Sequence, residues 1–154
     1  MTPGESISSL SLRLEGFSST NPSSLAGSLV VYVVPDLGSG VTPTQPRCSP
    51  ALGAVGCAAT AVSVGFLDLT TVKLFQPKYY NISLSMTLMV SGSSPTPYWI
   101  IATTAYPSGS ANSVSWDGNA STGNPQLLTF GSITNFGSSN WNSINQNMTF
   151  QACR

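Results

Sequence analysis

Residues 79–90 read YYNISLSMTLMV, with Tyr80, Ile82, Leu84, Met86, Leu88 and Val90 on one phase of a two-residue period and Asn81, Ser83, Ser85 and Thr87 on the other. Period two is the mark of a strand with one dry face and one wet face. The wet phase is uncharged: it holds hydroxyls and an amide, and opens with Asn-Ile-Ser, an acceptor pattern for N-linked sugar.

The same period recurs along the chain. Leu10, Leu12 and Leu14 alternate with Ser11 and Arg13, and residues 28–34, SLVVYVV, form a short apolar run closed by Pro35, Asp36 and Gly38, the pattern of a central strand. Residues 61–75 alternate through Val62, Val64 and Phe66, then shift phase near Leu67 and Leu69, which predicts a bulge or tight turn. YWIIATTAY, SANSVSW, QLLTFGSI and NQNMTFQAC supply further strands, the last with Met148, Phe150 and Ala152 on its inward phase. No segment has a convincing helical period. The expected fold is all-β: a single antiparallel β-sandwich of jelly-roll type with about eight strands over residues 1–154, a barrel being the alternative.

Composition narrows the function classes. Charged residues are 6% of the chain, five basic and five acidic, and Ser, Thr and Asn make up about a third of it. An average soluble domain carries roughly 25% charge, so this surface is polar but neutral. At 41% hydrophobic residues the chain folds and is not a disordered tract. Singly scattered charges offer no footprint for nucleic acid or anionic lipid, and no run reaches the ~18 apolar residues of a membrane span. A neutral surface lacks the repulsion that keeps proteins apart, so it either carries glycans or associates. Both point to an extracellular or cell-surface location, although MTPGESISSL has no signal-peptide pattern and MTFQACR no sorting tail.

Residues 35–60 are too long for a hairpin turn and carry Cys48 and Cys57 around CSPALGAVGC. A local Cys48–Cys57 disulfide is expected to stiffen this excursion, leaving Cys153 as a buried thiol, a partner in trans, or a competitor for the pairing. The Thr-Pro and Ser-Pro steps also suit an O-glycosylated or an ordinary surface loop.

The chain has no histidine, which closes the Ser-His-Asp and Cys-His relays and His-based metal sites. Five carboxylates remain, Glu5, Glu15, Asp36, Asp68 and Asp117, of which Asp36 and Asp117 sit in Gly-containing turns suited to local hydrogen bonding. One carboxylate at Asp117-Gly118-Asn119 is too few for calcium. No enzyme, metal or cofactor is expected. Tyr98 and Trp99 read as core, whereas Trp116 and Trp141, near Gly/Asn/Ser-rich segments, are the candidates for a carbohydrate platform. Three N-glycosylation sequons stand at Asn81, Asn119 and Asn147; ten asparagines give two or three by chance, so strand phase carries the argument.

Residues 9–16, 29–34, 97–102 and 113–118 occur in an order that resembles the choice-of-anchor domain family of secreted β-sandwich modules, over roughly three quarters of the chain. The Tyr98-Trp99 strand is the most specific part, and the cysteine-bearing loop departs from the pattern. The resemblance implies a secreted surface or matrix module without catalysis.

Together these readings predict a structural, glycosylated subunit whose partners are copies of itself and covalent glycans, polymerising by strand addition from its first or last strand. A carbohydrate-binding or adhesion module is the alternative, and a viral capsid or protruding domain the second.

Overall fold

The computed structural model describes residues 4, 6–18, 25–38, 46–48, 53–89, 97–105, 112–116, 118–119, 127–129, 142–144, 147–148 and 150–153. Strands β1 (Ser6–Ser18), β2 (Ser28–Pro35), β3 (Ser63–Asp68), β4 (Lys78–Met89), β5 (Tyr98–Ala105) and β6 (Asn112–Trp116) are followed by short strands β7 (Gly118–Asn119), β8 (Leu127–Thr129), β9 (Asn142–Ile144), β10 (Asn147–Met148) and β11 (Phe150–Cys153). The fold is all-β and antiparallel. Among the described residues seven strands form one sheet, ordered β11-β1-β4-β3-β2-β5 with β6 also on β1, and the other four form two small ribbons, β7 with β10 and β8 with β9.

The sheet curls on itself, nearly closing. Leu10, Leu12 and Leu14 of β1 share one buried cluster with Leu29, Val31 and Val33 of β2, although β4 and β3 separate the two strands within the sheet. Ile82 and Leu88 of β4 complete that cluster, with Leu25, Leu69 and Val72 from the connections. Each side chain of this size contributes about 1.5–3 kcal/mol by leaving water, so the three leucines of β1 anchor the core.

β2 is apolar on both phases because both its faces are covered. Val31 and Val33 face the main core, while Val34 joins a second cluster with Trp99, Ile101, Cys48 and Cys57. That second cluster lies beneath the excursion between β2 and β3, which holds the Cys48–Cys57 disulfide. It also contains a helix the period-two reading did not anticipate, α1 (Gly53–Thr60), GAVGCAAT. Two glycines make this a poor helix former in isolation; the buried Cys57 and its bond to Cys48 hold it against β2 instead.

The phase shift near Leu67 is a tight turn. Asp68 caps a 3₁₀ turn at Leu69–Thr71, its Oδ1 accepting from the Thr70 N–H at 2.9 Å, while the Val72 N–H returns to Leu69 O at 3.0 Å. The Thr70 N–H, then its hydroxyl, hold the Asp68 carboxyl below the ordinary aspartate range.

Two phases differ from the sequence reading: that of β3, which follows its unbroken register with β2, and that of β4 at Met86. In β3 it is Ser63 and Gly65 that are buried, and Phe66 is 67% exposed. In β4, Tyr80, Ile82, Leu84 and Leu88 are inward or half-buried as expected, but Met86 is 60% exposed; Val90 lies outside the described residues. Between the pairs Ile7↔Leu88 and Ser9↔Ser83, β1 advances two residues while β4 uses five. In that bulge Leu84 pairs with Gly65 of β3, so β4 here joins the two halves of the sheet. The Ser63 hydroxyl takes over the broken ladder, accepting from Met86 N–H at 3.0 Å and donating to Met86 O at 2.9 Å. Ser85 Oγ similarly accepts from Val64 N–H at 3.0 Å. A bulge re-aims side chains locally, and Met86 is the residue turned out.

Candidate functional site

No catalytic constellation forms among the described carboxylates. Glu15 lies on β1 opposite Ser115, Asp68 is the turn cap, and Asp36 is buried; Glu5 and Asp117 lie outside the described residues. Among the described residues no three or more His, Cys, Asp or Glu side chains gather as a metal site.

Asp36 has a structural task. Its Oδ1 accepts the Trp99 indole N–H at 2.6 Å and its Oδ2 the Gly38 N–H at 2.8 Å, as expected of Asp in a Gly-containing turn. The bond lets Trp99 be buried at no cost of an unpaired donor, and ties the end of β2 to the start of β5 beneath the disulfide. Asp36→Ala is therefore expected to lower stability by about 2–3 kcal/mol in urea unfolding, since it strands a buried N–H. Asp36→Asn keeps an acceptor and should lose less than the alanine variant; equal losses would contradict the assignment.

The exposed faces hold the remaining sequence candidates. On the β1/β4 half, Ser9 pairs with Ser83, Ser11 with Asn81 and Arg13 with Tyr79, and directly opposed residues share a face. Asn81 and Ser83 are exposed, as their phase predicts, and Tyr79 is 46% exposed beside them. On its other side β1 meets β11, with Gln151 opposite Ser11 and Cys153 opposite Ser9. Phe150 and Ala152 are the register partners of Leu12 and Leu10.

The same face ends in an aromatic pair. Phe17 and Phe75 pack edge to face, ring centroids 5.8 Å apart, and Phe75 is 62% exposed. Phe75 also has φ 54, a left-handed conformation costing a non-glycine residue roughly 1–2 kcal/mol, held by its N–H to Gly16 O at 2.9 Å. Sequence reasoning did not single out this pair. The phase of Phe17 was legible, since it continues Arg13 and Glu15, but its meeting with Phe75 depends on the Gly16↔Leu74 bridge.

On the other half, Phe66, Val30 and Thr103 form one row across β3, β2 and β5 on the side away from the main core. β5 pairs with β2 through eight consecutive residues, Tyr98 to Ala105, without a register break. Among the described residues no strand pairs with its other side.

Of the other sequence candidates, Asn119 and Asn147 are directly opposed in the β7/β10 ribbon. Trp116 is the register partner of Leu14, and Trp141 lies outside the described residues. No described helix is long and apolar enough to cross a membrane. A scan of family models, a search of curated proteins and a search of solved structures each return no match to this chain.

Proposed function

We propose that the chain is a structural, self-associating extracellular subunit, a glycosylated β-sandwich of jelly-roll type without catalytic activity, in keeping with its resemblance to choice-of-anchor modules. The observation that carries the reading is β5. Its sequence, YWIIATTA, is an uncharged eight-residue strand with an unbroken ladder on one side. Strand edges are ordinarily guarded by Lys, Pro, bulges or inward charges, and β5 has none of these within its span. The exposed Phe66, in line with Thr103 across β2, extends the uncharged surface on that side of the sheet.

The donor is β11 rather than the first strand. β1 is flanked on both sides and supplies the core leucines, so lending it would dismantle the fold. β11 adds four residue pairs to one side of β1 only, and an exchange of that ladder for the edge of a neighbour propagates head to tail. Negative-stain imaging of the secreted chain at rising concentration is expected to show filaments or sheets. Uniform single particles at every concentration would sink the reading.

A carbohydrate-binding module is the second reading, favoured by the exposed Phe17 and Phe75 pair on the polar β1/β4 face. Monomers retained on an immobilised glycan column would favour it over assembly.

A further inference from the structure

Tyr79, Asn81 and Ser83 occupy successive outward positions on β4, in a stretch whose register with β1 runs unbroken from Leu14↔Lys78 to Ser9↔Ser83. All three are exposed, while the intervening Ile82 is buried in the core and Tyr80 is half-buried, its hydroxyl accepting the Lys73 N–H at 2.7 Å. The strand is therefore fixed from below. Outward neighbours two apart on a strand are separated by roughly 7 Å, about the span from an asparagine to a sugar ring lying flat along the strand.

We infer that Tyr79, Asn81 and Ser83 form a single modification site, in which the first N-acetylglucosamine attached to Asn81 lies on the ring face of Tyr79. The inference rests on the extracellular glycoprotein reading and adds to it which sequon is structurally built for sugar. Attachment joins Asn81 Nδ2 to C1 of an oligosaccharide carried on a lipid diphosphate. The C1–O bond breaks, its electron pair leaves with the diphosphate, and one amide proton is lost to the transferase's base. Ser83 supplies the hydroxyl that the acceptor pattern requires two residues on.

Three features favour the sugar over bare solvent. An exposed tyrosine presents an apolar ring face with a wet hydroxyl at its tip, which suits the axial C–H face of a pyranose. Opposite Ser83 and Asn81, Ser9 and Ser11 of β1 offer uncharged hydroxyls, Arg13 stands opposite Tyr79, and none of these three rows of β1 and β4 holds a carboxylate. Neither of the other sequons has an aromatic residue two positions earlier: Asp117 precedes Asn119 and Asn145 precedes Asn147.

The test uses the whole chain secreted from a eukaryotic host, trimmed to one N-acetylglucosamine per site, as wild type, Tyr79→Ser, Asn81→Gln and the double variant. Peptide mass is expected to find Asn81 occupied in nearly every molecule. Losing that sugar is expected to lower Tm by about 2–4 °C in the Tyr79 background, the scale of one aromatic contact in a chain of this size, and by less than about 1 °C in the Tyr79→Ser background. Tyr79→Phe is expected to keep the wild-type effect, because the ring and not the hydroxyl carries it. Equal Tm losses in both backgrounds overturn the stacking. A bare Asn81 with sugar on Asn119 or Asn147 overturns this site while leaving the glycoprotein reading intact, and sugar on none of the three overturns both.

Discussion

Gly65→Val is expected to destabilise the chain by about 3 kcal/mol, read as a fall in the urea midpoint with little change in slope. A Cβ built on Gly65 runs into Ile82 Cγ2 and comes within 3.0 Å of the Ser83 carbonyl oxygen. Neither neighbour can yield easily: Ile82 is fully buried in the main cluster, and Ser83 O belongs to the backbone of β4. The cost falls at the Gly65↔Leu84 pair, where β3 meets β4 and the two halves of the sheet are joined. The clash is local, so removing its other partner should relieve it. Ile82→Ala alone costs about 2–5 kcal/mol through the cavity it leaves, but combined with Gly65→Val the total should fall short of the sum by about 1 kcal/mol or more. Strict additivity, or a Gly65→Val cost below about 0.5 kcal/mol, would contradict the close approach of β3 to β4.

Replacing both Cys48 and Cys57 with alanine is expected to cost about 2–4 kcal/mol. The bond closes a short loop of sequence separation 9, for which chain entropy alone gives about 2.6 kcal/mol. Both residues are buried against Val34, Trp99 and Ile101, so the loss extends beyond the loop to the cover over the outer side of β2. Hydrogen exchange should locate it: the amide of Ala61, whose N–H bonds to Cys57 O at 2.9 Å, is expected to lose protection before those of β1 and β4. A uniform loss across the sheet would contradict a separate second cluster.

The alternation of Leu10, Leu12 and Leu14, and of Tyr80, Ile82 and Leu84, was legible because β1 and this part of β4 each turn a single phase to the main core. The apolar run of β2 was equally legible, since burial on both sides removes any need for polar residues. Met86 was not, because a bulge is fixed by which strand a residue meets, and Phe66 was not, because the phase of β3 is set by its register with β2, with Gly65 opposite Val31 and Phe66 opposite Val30. The same holds for Asp36: a turn was readable from Gly38, but its bond to Trp99 spans 63 positions. The helix α1 was hidden for a different reason, its composition being poor for helix and its stability coming from the disulfide beneath it. On the surface, the outward phase of Asn81 followed from period two, and Tyr79 lies on the same phase, whereas the Phe17 and Phe75 pair depended on a long-range bridge.

Association is proposed to follow from what β5 lacks, so adding a guard should abolish it. Thr103 is half-buried on the outer side of β5, opposite Val30, and a lysine there charges the edge without entering the core. The most direct measurement is sedimentation velocity on the secreted wild-type chain and its Thr103→Lys variant over a hundredfold range of concentration. The account predicts that wild type shifts to heavier species as concentration rises, while Thr103→Lys stays monomeric with an unchanged Tm. A wild type that remains monomeric throughout, or a Thr103→Lys chain that assembles just as wild type does, would contradict it.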